Sequence, residues 1–187
     1  MLVEEIKDNE LLRQFETKTA CGLLTIEYAI QERKIFLTKL CANENEQEDK
    51  VVEILKTILS ERTTLLKKPI NPRPVLVASI GEEMHSLAIH ALTAALAERN
   101  IECHFLGART PFAALEAMVE KFAPPAIFLW AQLVENADSS YFKDLPTIRP
   151  APRVLLGGPG WSESDCANMT KTPDLNYACE EITRAVG

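Results

Sequence analysis

From residue 75 onward one pattern repeats: a short apolar run, a loop, then a stretch with apolar residues at helical spacing. VLVASI (75–80) leads into a helix predicted over 84–98, with Met84, Leu87, Ala88, Ala91, Leu92 and Ala95 on one face. IECHFLG (101–107) follows, then a helix opened by Thr110 as cap and Pro111 at the first helical position, carrying Phe112, Leu115, Met118, Val119 and Phe122. AIFLWAQ (126–132) and RVLLGG (153–158) read as two further strands, and Thr172-Pro173 opens a last helix. Strands that alternate with helices join into a parallel sheet covered on both faces, so the expected class is α/β, doubly wound. In such sheets ligands lie beyond the carboxyl ends of the strands. The loops to search are therefore GEEMH, GARTP, AQLVENADSS and GGPGWSES.

The front of the chain has a different pattern. Apolar residues over 8–66 can be placed at helical spacing, as with Leu23, Ile26 and Ile30, then Val51, Leu55, Ile58 and Leu59. This predicts a small all-helical domain over 1–68, its last two helices separated by the polar CANENEQED. KKPINPRP has three prolines in eight positions, which favours extended chain, and 69–74 is expected to link the helical domain to an α/β domain over 75–187.

Composition excludes some functions. A formal net charge of −7 makes this chain a poor partner for nucleic acid, so a DNA-binding role is expected to need another domain. No apolar stretch is long enough for a membrane span, and the acidic start is unlike a signal peptide, so a cytoplasmic protein without membrane attachment is expected. Cys21, Cys41, Cys103, Cys166 and Cys179 show no CxxC spacing and read as reduced thiols.

The loops narrow the chemistry further. The first has one glycine where a dinucleotide fingerprint needs GxGxxG, and the chain has no GKS, GKT or GxSxG. The third strand ends in Trp130-Ala131-Gln132, without the Asp of a phosphoacceptor. What remains is His85 with Glu83 two residues before it, and Gly157-Gly158 at the end of the fourth strand. An imidazole can ligate a metal through one nitrogen while a carboxylate orients the other, and paired glycines let backbone approach a large ligand. One His is too few for a zinc site made by protein alone. It suffices for a cofactor with its own equatorial ligands, such as cobalamin. His90 and His104 read as ordinary helix and sheet-face residues.

The segment ASIGEEMHSLAIHALTAALAERNIECHFLGARTP, with Gly157-Gly158 downstream, resembles the cobalamin-binding domain, a flavodoxin- or Rossmann-like fold. Glu83-Met84-His85-Ser86-Leu87 followed by Leu106-Gly107-Ala108-Arg109-Thr110-Pro111 is most similar to MerR-type, light-responsive regulators that use adenosylcobalamin. The resemblance spans about residues 75–187. It implies His85 as the lower cobalt ligand, Glu83 as its orienting partner, Gly157 and Gly158 along the slot for the nucleotide tail, and contacts from Ser86, Trp130, Ala131 and Gln132. The chain departs from the family at Ala88, where a glycine is usual, and at Ala131, where a serine is frequent. No His precedes His85 and no Trp precedes Trp130, so this chain cannot form the bis-His state of the light sensors.

The resulting expectation is a non-catalytic sensor or regulatory module that binds adenosyl- or hydroxocobalamin and works through a homo-oligomer or a regulatory protein partner. Two alternatives stand beside it: an interaction module that kept the fold and lost the cofactor, and a corrinoid carrier subunit for a methyltransferase or mutase.

Overall fold

The structure, a computed structural model, describes residues 7–9, 14–19, 22–31, 34–41, 48–64, 66–162 and 169–187. The chain divides into two compact units, Met1–Ile58 and Leu59–Gly187.

The first unit corrects the all-helical expectation. It holds a four-stranded antiparallel meander of β1 (Lys7–Asn9), β2 (Gln14–Thr19), β3 (Gly22–Gln31) and β4 (Lys34–Cys41). Two residues separate Thr19 from its partner Gly22, and two separate Gln31 from Lys34, so both hairpins are tight. Leu23, Ile26 and Ile30 fit a helix, but Leu24, Ile26, Tyr28 and Ile30 fit alternation equally well. The β-branched and aromatic residues of GLLTIEYAIQ and KIFLTKLC decide the matter, because they suit a pleated surface better than a helical turn. Among the described residues only the third expected helix is found, as α1 (Glu48–Thr63). Residues 10–13 and the polar break at 42–47 lie outside the described residues, as do Cys21 and Cys166.

The second unit is an α/β domain with a five-stranded, all-parallel sheet. Its strands are β5 (Val75–Ile80), β6 (Cys103–Thr110), β7 (Ala126–Trp130), β8 (Arg153–Gly157) and β9 (Thr170–Thr172), in the order β6-β5-β7-β8-β9. The last strand was not expected: three residues, Thr-Lys-Thr, make no apolar run. Every residue of β5 is buried, as a central strand covered on both faces requires. Alternate residues serve opposite cores. Val75, Val77 and Phe128 face α2 (Leu87–Glu98) and α4 (Leu175–Val186), while Leu76, Ala78, Ile127 and Leu129 face α3 (Phe112–Phe122) and Trp161. The proline-rich segment is held by Asn71, whose side-chain amide donates to the Glu102 carbonyl at 3.0 Å and accepts the Glu102 N–H at 2.8 Å.

Two helix starts and one helix face differ from expectation. Thr110 does not cap α3; its hydroxyl donates to the Gly107 carbonyl at 3.1 Å, and extended Pro111 precedes the helix. At α4 the cap is Asp174, which accepts the Tyr177 N–H at 2.8 Å. On α2 the buried residues are Ile89, Leu92, Thr93, Ala94, Leu96 and Ala97, whereas Met84 precedes the helix and is 60% exposed. Ala88 and Ala91 are half-buried because they border a cavity.

Gly158 closes β8 with φ +102, and a Cβ there would stand 2.2 Å from the Ala131 carbonyl oxygen. Backbone cannot yield as a side chain can, so Gly158→Ala is expected to cost roughly 2 kcal/mol or more, read as a lower urea midpoint. An unchanged midpoint would show that this turn relaxes freely.

Candidate functional site

Strand order places a crevice between β5 and β7, where the chain turns from β6 on one side of β5 to β7 on the other. Glu83 bridges it. The residue comes from the loop after β5, is fully buried, and takes donors from both loops. Oε1 accepts the His85 N–H at 2.9 Å and lies 2.5 Å from His85 Nδ1. Oε2 accepts the backbone N–H of Gln132 at 2.8 Å, that of Leu133 at 3.1 Å, and the side-chain amide of Asn136 at 3.1 Å.

Burial alone would raise the Glu83 pKa. The donors from His85, Leu133 and Asn136 outweigh that effect and bring it from 4.5 down to about 2. A carboxylate that stays ionised can only accept, so His85 carries its proton on Nδ1 and, when neutral, keeps the Nε2 lone pair. The His85 side chain is 57% exposed, and Nε2 is free of any protein bond among the described contacts.

The shift has a consequence for stability. Because the folded pKa lies below the unfolded one, the contribution of Glu83 is complete above about pH 5 and falls away as pH drops through 4.5 toward 2. A 2.5-unit difference corresponds to about 3 kcal/mol. Urea unfolding of wild type at pH 7 and pH 3 should show about 2 kcal/mol of this loss, the rest following only below about pH 2, and Glu83→Gln should show much less; equal pH dependence in the two proteins would remove the assignment.

Other groups secure the same loop. The Ser79 hydroxyl, fully buried on β5, donates to the His85 carbonyl at 2.9 Å. Arg109, with φ +51, gives its N–H to the Glu83 carbonyl at 2.9 Å and its guanidinium to Glu82. The loop that presents His85 is thus tied to β5, to the end of β6 and to the loop after β7. Apolar side chains lie open on these same loops: Met84 beside His85, and Leu133 and Val134 after β7.

A cavity of about 440 Å³, whose lining begins at Ala88 on α2, lies between α2, the sheet and the start of α4. That volume falls within the usual range for small-molecule sites. Ala88, Ala91 and Leu92 form its helix wall, Phe128 and Trp130 its sheet wall, and Gly158 part of its rim. Of the residues expected at a cofactor, Trp130 and Gly158 border the cavity, and Glu83 and His85 form the dyad. Gln132 takes part through its backbone. Ser86 is buried before α2, with its carbonyl accepting the His90 N–H at 3.1 Å. Ala131 does not border the cavity; it is fully buried in the core on the opposite sheet face. Gly157 acts indirectly, since a Cβ there would meet the Phe128 ring at 2.2 Å.

Asn136, Leu133 and Ser79 escaped the sequence reading. Ala91 and Leu92 carried a usable signal, their spacing of three and four residues from Ala88. His90 and His104 pack edge-on against Phe105 and Phe122, at 4.4 and 4.3 Å between centroids. Cys103 and Cys179 are free, and burial pushes the Cys103 thiol up to about 12 and raises that of Cys179. Among the described residues no group of three or more His, Cys, Asp or Glu could hold a metal ion, and no helix is long and apolar enough to cross a membrane.

The fold and site together define a doubly wound α/β domain with a histidine–carboxylate dyad at its ligand crevice. No protein-family model matches the chain, and no curated protein matches it. Among solved structures it is similar to a novel cobalamin-binding protein from Desulfitobacterium hafniense DCB-2, at 20% identity over 76% of this chain and 72% of that chain, with a TM-score of 0.49.

Proposed function

We propose that the C-terminal unit is a cobalamin-binding module in which His85 ligates cobalt through Nε2. The observation that carries this reading is the Glu83–His85 dyad, which leaves one lone pair exposed at the carboxyl end of β5. The donor set suits the cofactor: a single neutral imidazole is a suitable axial ligand for a metal whose four equatorial nitrogens come with it. Cobalamin would supply the cobalt chemistry; the chain supplies binding and orientation. The two alanines that depart from the family pattern fit as well. Ala88 borders the cavity, yet its methyl group leaves about 440 Å³ free, and Ala131 faces the other core. Met84, Leu133 and Val134 offer apolar surface to a macrocycle over the loops.

The role we assign is sensing or regulation without catalysis. Glu83 is engaged on both oxygens and stays ionised at neutral pH, so it serves to hold His85 and has no proton to donate. Occupancy of the site would act by shifting a conformational population, with the output passed to a second copy or a regulatory partner.

The test is a visible absorption titration with adenosyl- and hydroxocobalamin in the dark, followed by gel filtration. Co-elution with a base-off, His-on spectrum is the expected result. Elution of the protein free of either corrinoid would overturn the proposal and favour an interaction module that lacks the cofactor. Transfer of the methyl group from protein loaded instead with methylcobalamin to a thiol acceptor, leaving the reduced corrinoid on the protein, would identify a carrier.

A further inference from the structure

The proline-rich segment that leads from α1 into β5 is fastened at very few points. Within residues 67–73 only Asn71 is buried, and Ile70 is 59% exposed. The Asn71 amide donates to the carbonyls of Arg73 and Glu102 at 2.8 and 3.0 Å and accepts the Glu102 N–H at 2.8 Å. Beside it the Ile70 N–H donates to the Asn100 carbonyl at 2.9 Å. A segment with so little apolar burial opens locally at far less cost than global unfolding.

The residues that receive this segment close α2. Asn100 stands just past the helix with φ +58, and the N–H groups of Asn100 and Ile101 fold back onto the carbonyls of Ala97 and Leu96, each at 2.9 Å. The other end of α2 starts at His85. Ser86, the next residue, is buried, and its carbonyl accepts the His90 N–H at 3.1 Å and the His90 Nδ1–H at 2.9 Å. Between these ends LAIHALTAALAE holds no Gly or Pro, so α2 moves as one rod about 18 Å long. A restraint placed on His85 therefore reaches Asn100 and Glu102, where the segment is clipped.

We propose that the proline-rich segment is the output element of this module: a ligand on His85 fixes the start of α2, steadies the turn at its end and holds the segment closed on Asn71, and loss of the ligand lets it open. The inference rests on the cobalamin reading above and deepens it by naming what occupancy regulates. The two states are segment closed and segment open, and the ligand shifts their balance by binding the closed state more tightly. Coupling of this kind is reciprocal, so the Asn71 clip in turn favours ligand binding at His85 from the opposite end of the sheet.

Amide hydrogen exchange of the whole chain, with and without hydroxocobalamin, tests this. The Glu102 and Ile70 amides report the clip. The Arg153 amide, which donates to the Pro125 carbonyl at 2.9 Å at the same end of the sheet, reports opening unrelated to it. Hydroxocobalamin should slow exchange at Glu102 and Ile70 by about fivefold or more relative to Arg153. Asn71→Ala should bind hydroxocobalamin about fivefold more weakly, with the protection of Arg153 retained as the sign that the domain is folded. If that variant does not fold, the wild-type exchange decides alone. Binding that leaves Glu102 and Ile70 no slower relative to Arg153, or a folded Asn71→Ala that binds as tightly as wild type, overturns the coupling and leaves the cobalamin reading standing. If wild type takes up no hydroxocobalamin, both readings fall together.

Discussion

His85→Ala should lower cobalamin affinity by about 100-fold or more, equivalent to roughly 2.7 kcal/mol, and should abolish the His-on spectrum. The side chain is more than half exposed and contacts the protein chiefly through Glu83, so its removal should leave the fold intact. An unchanged melting temperature alongside lost binding is therefore the expected combination. Added imidazole should restore part of the spectrum, since a free ligand can occupy the place of the missing ring. A variant that binds cobalamin as wild type does would remove His85 from the site.

Glu83→Ala should strongly destabilise the second unit. It strips the acceptor from the N–H groups of His85, Gln132 and Leu133, from the Asn136 amide and from the His85 ring. Donors left buried without a partner keep their desolvation cost, so a loss of about 3–5 kcal/mol is expected in urea unfolding. Glu83→Gln keeps one oxygen and should lose less. Asn136→Ala removes a single donor and should lose least. Where these proteins remain folded, cobalamin affinity should follow the same order, with about 10- to 100-fold lost on Glu83→Ala because His85 is no longer held. Equal stability of Glu83→Ala and wild type would show that water reaches the crevice and replaces the carboxylate.

Much of the second unit was legible because its signals are local. The run VLVASI, the Pro-Pro after α3 and the glycines after β8 each act within a few residues, and they produced the strand–helix alternation directly. β9 was missed for the same reason, since three residues carry too little pattern. The meander was misread because Leu23, Ile26 and Ile30 satisfy two periods at once, and only the β-branched and aromatic neighbours separate them. Trp130 ends β7 and borders the cavity, while Ala131, the next residue, is buried in the core on the opposite sheet face, a separation that apolar runs in the sequence do not reveal.

By itself the sequence determined that residues 75 onward form a parallel sheet and that His85, with Glu83 two positions before it, stands at a strand's carboxyl end. Spacing and polarity along a few residues are enough for that. Only the tertiary structure decided what Glu83 is. Its second oxygen is held by Gln132, Leu133 and Asn136, some fifty positions away, which meet it because β7 lies beside β5. The same adjacency joins Ala88 on α2 to Phe128 and Gly158 around one cavity. Contacts of this kind depend on strand order, which long-range packing selects and no local pattern encodes.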